Sequence, residues 1–169
     1  MTILVTGEAI RQRVAELGAE LGDLYRESGV HVIPVLKGSF VFASDLIRAM
    51  TCGVTVDFIG VESYGDGTES SGEPGLTLVP SLPLAGRQVL LVEDIVDTGL
   101  TLAYIQKLIK SRSPAGLRTV TLLDKPSRRR VDVDVYRALF EIPDRFVVGY
   151  GLDGPGGLYR NLPFVAALQ

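Results

Sequence analysis

The stretch Val89-Leu90-Leu91-Val92-Glu93-Asp94-Ile95-Val96-Asp97-Thr98-Gly99-Leu100-Thr101 decides how this chain is read. The apolar run Val89 to Val92 has the composition of a strand buried on both faces of a parallel sheet. Leu102, Ile105, Leu108 and Ile109 then recur at helical spacing. The acidic pair Glu93-Asp94, followed by Asp97, Thr98, Gly99 and Thr101, therefore stands where a strand hands the chain to a helix N-terminus. In an open α/β sheet that is the carboxyl edge, where ligands bind. Free N–H groups at a helix start hold a phosphate. The hydroxyls of Thr98 and Thr101 add donors, and Gly99 lets the backbone come close. Amides and hydroxyls thus face an anion, while carboxylates face sugar hydroxyls or a divalent cation. No Gly-x4-Gly-Lys-Ser/Thr occurs in this stretch, which excludes a Walker P-loop here.

The length of 169 residues suits one domain, 1–169, that buries about 70% of its unfolded surface. A formal net charge of −3 and a pI of about 5.2 give no general pull toward nucleic acid or an anionic membrane. No apolar run approaches the roughly 20 residues that span a bilayer. Met1 to Arg11 has neither a basic start nor a long apolar core, so no signal peptide is expected. The single cysteine, Cys52, has no internal disulfide partner, which fits a reducing cytoplasm. The single histidine, His31, reads as structural, since a zinc site or a Cys–His dyad would need further ligands or a partner.

Helical and strand patterns alternate along the chain, which argues for an α/β fold with a mainly parallel sheet flanked by helices. Glu8 to Arg26 is an amphipathic helix with Ile10, Val14, Leu17, Leu21 and Leu24 on one stripe, and Gly29 closes the turn after it. Val30 to Leu36 is an apolar strand. Lys37-Gly38-Ser39 turns into a helix carrying Phe42, Leu46, Ile47 and Met50. Val54 to Val61 is a strand, Ser63 to Pro74 a long polar loop, and Leu76 to Leu78 a return strand. Leu117 to Leu123 and Phe146 to Tyr150 are strands, with Arg128 to Val135 irregular or extended between them. The chain ends, Met1 to Thr6 and Leu152 to Gln169, are expected to pack together as a small subdomain above the sheet.

Four further motifs carry chemistry. Lys37-Gly38-Ser39 places a cation and free amides at a second helix start, which suits a second anion. The loop beginning Ser63-Tyr64 is long and polar enough to be an active-site lid. Lys125, in Leu122-Leu123-Asp124-Lys125-Pro126, lies at the same sheet edge as Asp97 and offers donors only, so it favours a ring keto oxygen over an amino group. Phe146 offers a ring face to a planar base, the backbone of Val147 an edge, and Asp153 a hard oxygen ligand. Arg128-Arg129-Arg130 reads as a solvated or subunit-contacting run.

Taken together, these motifs resemble the bacterial 6-oxopurine phosphoribosyltransferases, of the type I phosphoribosyltransferase fold with a small hood subdomain. The resemblance covers roughly Ile33 to Leu162. It rests on the 89–101 stretch, Leu36-Lys37-Gly38, Ser63-Tyr64-Gly65, Lys125-Pro126-Ser127-Arg128-Arg129, Phe146 to Asp153 and Tyr159-Arg160-Asn161-Leu162-Pro163. It implies transfer of a phosphoribosyl group from phosphoribosyl pyrophosphate (PRPP) to hypoxanthine or guanine, giving IMP or GMP and pyrophosphate, with magnesium (Mg2+). It also implies a homodimer or homotetramer in the cytoplasm. By the same resemblance Asp97 is the general base beside purine N7, and Asp97, Thr98, Gly99, Leu100 and Thr101 bind the 5′-phosphate. Glu93 and Asp94 meet the ribose hydroxyls and the magnesium shell. Lys37, Gly38 and Arg160 serve the pyrophosphate, and the peptide before Lys37 is cis. Ser63 and Tyr64 belong to the lid; Lys125, Phe146 and Val147 hold the purine; Asp153 takes the second magnesium.

The chain departs from the family pattern after Asp153. An aromatic and an acidic residue are replaced by Gly154-Pro155-Gly156-Gly157-Leu158, and one residue is added before Arg160. Two alternatives stand beside the purine-salvage enzyme: an enzyme of the same fold preferring xanthine or another base, and a nucleotide-sensing RNA-binding regulator. The acidic pI weighs against RNA as a partner.

Overall fold

A computed structural model describes residues 1–62 and 75–168, so the expected lid residues Ser63 and Tyr64 lie outside the described residues. The elements run β1 (Thr2–Val5), α1 (Gly7–Leu24), β2 (Val30–Leu36), α2 (Phe40–Ala49), β3 (Val54–Val56), β4 (Ile59–Glu62), β5 (Gly75–Leu78), β6 (Gln88–Val96), α3 (Leu100–Lys110), β7 (Gly116–Asp124), β8 (Arg137–Glu141), β9 (Val147–Val148) and β10 (Val165–Ala167). The main sheet has the order β5-β4-β2-β6-β7-β8, with β3 also pairing β2. All pairs are parallel except β4 with β5.

β6 is the spine of this sheet, bonded to β2 through Val89–Val92 and to β7 over most of its length. Successive side chains of a strand point to opposite faces, and β6 feeds two separate cores accordingly. Leu90 and Val92 join the core of α1 and α2, with Val30 and Val32 of β2, Ile10, Val14, Leu17, Phe42 and Leu46. Val89 and Leu91 join the core under α3, with Ile33 and Val35 of β2, Leu102, Ile105 and Ile109. Both faces being covered explains the unbroken apolar run read in the sequence. On the first face, α1 approaches the end of α2 closely because residue 18 is glycine: a Cβ there would overlap Ala49.

Two expectations needed revision. The strand expected over Val54 to Val61 is two strands, because Asp57 interrupts it. The Asp57 carboxylate accepts the N–H groups of Phe58 (2.9 Å), Ser81 (2.6 Å) and Leu82 (2.9 Å). It thereby pins the 80–82 linker to the break between β3 and β4. Burial opposes the charge, but the Leu82, Phe58 and Ser81 donors outweigh it and hold the carboxyl below its ordinary range. The strand β8 was not foreseen. It buries only Leu139 fully among its five residues, so it carries no alternation to detect.

The expected subdomain of the chain ends is a three-stranded antiparallel sheet, β1-β10-β9. Val5, Val147, Val165 and Ala167 insert into the first core, and the Tyr150 hydroxyl donates to Asp45 of α2 at 2.7 Å. This hood is thus fastened to the helix that starts at Lys37-Gly38-Ser39.

Asp57→Ala would leave three backbone donors without their shared acceptor. It is expected to lower the unfolding free energy by about 0.5–1.5 kcal/mol at pH 7, since water can reach the freed donors. Because the folded-state pKa of Asp57 is depressed, its contribution is present above the ordinary aspartate value and lost as pH falls through the folded value. Urea titrations of both proteins at pH 7 and near pH 3 should show the gap closing in acid.

Candidate active site

β6 continues to Val96, two turns of the pleat beyond the apolar run, so Glu93 and Asp94 lie inside the strand rather than after it. Glu93 pairs in register with Thr121 of β7 and is buried, 7% exposed. Its Oε1 accepts the N–H of Asp94 at 3.2 Å, and Asp94 Oδ1 accepts the N–H of Ile95 at 2.7 Å. Burial first, and the neighbouring Asp94 charge second, push the Glu93 carboxyl well above the ordinary range. Burial also raises Asp94, against the pull of Glu93, the Ile95 N–H and the charge of Arg160.

After β6 the chain turns through Asp97, Thr98 and Gly99. Gly99 has φ +85°, a left-handed conformation, and is the N-cap of α3. The Thr98 hydroxyl accepts the Leu100 N–H at a long 3.4 Å, and α3 makes its first helical bond from Ala103 N–H to the Gly99 carbonyl. The N–H groups of Thr101 and Leu102 in that first turn point out of the helix start.

A cavity of about 780 Å³ opens at this carboxyl edge, lined by Lys37, Gly38, Glu93, Asp94, Asp97, Thr101, Asp153 and Arg160, with Gly60, Val61, Thr77 and Leu78 from β4 and β5. Residues from four distant stretches thus meet in one place. The peptide Leu36–Lys37 is cis, as the resemblance implied. Gly38 sits under the Asp94 carboxylate so tightly that a Cβ would overlap Oδ2, and the Gly38 carbonyl leaves no room for a Cβ on Gly151. Gly151 in turn accepts Arg160 Nη1 through its carbonyl at 2.6 Å, and Arg160 Nη2 pairs with Asp153 at 2.9 Å. Arg160 lines the cavity. The 154–158 loop closes on itself, Gly157 N–H to the Gly154 carbonyl and Gly154 N–H to the Leu158 carbonyl, each at 3.0 Å, with Gly156 and Gly157 left-handed.

Lys125, Phe146 and Val147 lie outside the lining of that cavity. Lys125 is buried, 6% exposed, and its N–H is tied to the Val96 carbonyl at the end of β6. It is therefore not a solvated surface lysine. Phe146 presents an exposed ring, 60% exposed, while Val147 is buried. Arg128 and Arg130 are exposed, as the reading of a solvated run expects, but the triplet also holds the turn after β6. Arg128 Nε donates to Asp97 Oδ1 at 2.6 Å, and Arg129 pairs with Asp124 and donates to the Asp97 carbonyl at 3.2 Å. The N–H of Arg130 reaches the Thr98 carbonyl at 2.9 Å. Sequence reasoning missed this because the partners lie 31 and 32 residues away. The one available signal was that both segments leave the carboxyl edge of adjacent strands.

Fold and site together define an α/β protein with one cavity at the carboxyl edge of its sheet: an acidic pair on a buried strand, then a hydroxyl- and amide-rich helix start, with a second cation-bearing turn across the cavity. The phosphoribosyl transferase domain family matches residues 2–154, and the chain belongs to that family. The hypoxanthine-guanine phosphoribosyltransferase of Bacillus subtilis is 44% identical over 99% of this chain and 92% of its own. A solved hypoxanthine-guanine phosphoribosyltransferase from Bacillus anthracis superposes with a TM-score of 0.92 at 43% identity, covering 100% of this chain and 99% of that one. A Trypanosoma cruzi hypoxanthine phosphoribosyl transferase, studied for the role of its C-terminal region in oligomeric state and activity, gives 0.91 at 42% identity over 99% and 91%.

The buried acidic pair has a consequence for stability. Glu93 holds its proton more tightly when folded, so stability falls as pH rises from the ordinary glutamate value of 4.5 toward the raised one. Without divalent cation, Glu93→Gln is therefore expected to exceed the parent in stability near pH 7.5 and to lose that advantage at pH 4.5. The gap should change by no more than about 1.4 kcal/mol per pH unit. Chemical denaturation at the two pH values measures it.

Proposed function

We propose that the chain is a purine-salvage transferase that joins hypoxanthine, guanine or both to PRPP, releasing pyrophosphate and forming IMP or GMP. The observation that carries this reading is the convergence of Glu93, Asp94, Asp97, Thr101, Lys37, Gly38 and Arg160 on one cavity at the carboxyl edge. The names borne by its relatives support the choice of base.

In this reading the 5′-phosphate rests on Asp97 to Thr101, held by the free amides of the α3 start and the two threonine hydroxyls. Glu93 and Asp94 bind the ribose hydroxyls, and Lys37, Gly38 and Arg160 bind the pyrophosphate. The base N9 forms a bond to C1′ as the bond from C1′ to pyrophosphate breaks, and the proton on N7 passes to Asp97. Lys125 donates to the 6-oxo group, Phe146 stacks on the base, and the Val147 backbone reads its edge. Ser63 and Tyr64 belong to a lid that keeps water from the cation-like C1′.

The donor set fits magnesium. Among the described residues there is no cluster of three or more acidic, His or Cys groups that could hold a metal alone. Magnesium characteristically takes one or two carboxylates and completes its shell with water and substrate phosphates. Asp94 and Glu93 would hold one ion and Asp153 a second, and their charge would stabilise the departing pyrophosphate. The buried acidic pair, whose ionisation burial opposes, supports this assignment.

No helix among the described residues is long and apolar enough to cross a membrane. We read the protein as a single domain, 1–169, in the cytoplasm, acting as a homodimer or homotetramer without nucleic acid.

A spectrophotometric assay with PRPP and magnesium against hypoxanthine, guanine, xanthine and adenine tests the function. Turnover of hypoxanthine or guanine is expected, and turnover of none by a folded protein that binds PRPP would favour the regulator. Adenine should be rejected, since its amino group would meet the Lys125 ammonium donor to donor. Efficient adenine turnover would remove that role from Lys125. Asp97→Asn should lower kcat by roughly 10²–10⁴, and a near-parental kcat would take the base role from Asp97.

A further inference from the structure

Four charged side chains alternate in sign across the edge of the candidate site. Asp97 Oδ1 accepts Arg128 Nε at 2.6 Å, Arg128 Nη1 reaches the two Asp144 oxygens at 3.4 and 3.3 Å, and Asp144 Oδ1 stands 3.9 Å from Lys125 Nζ. The chain of contacts starts at the residue read as general base and ends at the residue read as the 6-oxo donor. Arg128 is its central link and is not among the residues that line the 780 Å³ cavity.

A guanidinium suits this bridge because it is planar and presents separate N–H donors in fixed directions, here Nε to one carboxylate and Nη1 to another. A carboxylate has two oxygens. With Oδ1 taken by Arg128, Asp97 Oδ2 has no hydrogen-bond partner among the described residues, and Asp97 lines the cavity. The hydrogen bonds of Asp144 and the charges of Asp97 and Asp144 push the Arg128 guanidinium further above its already high ordinary range.

We propose that Arg128 is a positioning residue for the transfer reaction: it pins one oxygen of Asp97, presents the other to the base, and through Asp144 keeps Asp97 and Lys125 at a fixed separation. The proposal rests on the reading of Asp97 as general base. It assigns to the arginine run a function that composition alone did not suggest. Arg129 and Arg130 complete the arrangement by gripping the Asp97 and Thr98 carbonyls, so the base and the phosphate turn are held by one segment.

Arg128 is 43% exposed at its side chain, and exposed pairs contribute little to stability. Arg128→Gln is therefore expected to melt with the parent. Its kcat for hypoxanthine should fall about tenfold while the PRPP KM stays within about twofold, as for a misaligned catalytic group. Arg128→Lys should recover little of that loss, because one ammonium cannot reproduce the two-nitrogen bridge. The deciding measurement is the same substitution in an Asp97→Asn background, where Arg128→Gln should cost nothing further. Equal fold losses in both backgrounds, or a raised PRPP KM with unchanged kcat, overturn the proposal. If Asp97→Asn alone turns over near the parental rate, the base reading has failed instead, and the two failures are thus told apart.

Discussion

Two carboxylates on adjacent residues of a buried strand repel each other and resist losing water, and much of the candidate site is built around that constraint. Glu93 and Asp94 cannot both ionise comfortably where they stand. They are tolerated because backbone N–H groups of Asp94 and Ile95 bond them and because Arg160 brings a positive charge from the hood. The carboxylate of Asp94 in turn dictates a glycine at position 38, and the Gly38 carbonyl a glycine at 151. A steric constraint is thus passed, by contact, from the central strand to the Lys37-Gly38 turn and on to the hood.

The hood is therefore more than a cover. β1, β9 and β10 share the core of α1 and α2, and Tyr150 is tied to Asp45 by a hydrogen bond. Burial of the Tyr150 ring, then that bond, pushes its hydroxyl far above its ordinary range, so it stays a donor. The loop after Asp153 closes through its own backbone hydrogen bonds. Arg160 then returns to the cavity, held by the Gly151 carbonyl and Asp153.

The segment after β7 plays the same part on the opposite side. Lys125 is anchored to the end of β6, and Arg128, Arg129 and Arg130 each hold the 97–98 turn. The residues read as purine donor and phosphate cradle are consequently parts of one bonded unit, although they leave different strands.

The amino-acid sequence by itself determined the parallel α/β class, since alternating apolar runs and helical stripes can be buried only in that layered way. It also determined the strand–turn–helix read as a phosphate cradle, because the turn at Asp97, Thr98 and Gly99 is set by local backbone geometry. The lengths of β6 and the break at Asp57 were not legible, since both depend on hydrogen bonds to partners in other strands and in the linker at 80–82. Only the tertiary structure decided that Gly38 lies under Asp94, that Arg160 reaches the Gly151 carbonyl and Asp153, and that Arg128 holds Asp97. The first and last of these join residues 56 (94 − 38) and 31 positions apart, and the second closes across nine residues through left-handed turns at Gly156 and Gly157. Spacing along the chain carries local geometry, whereas charge pairing across strands is chosen by which edges the folded sheet brings together.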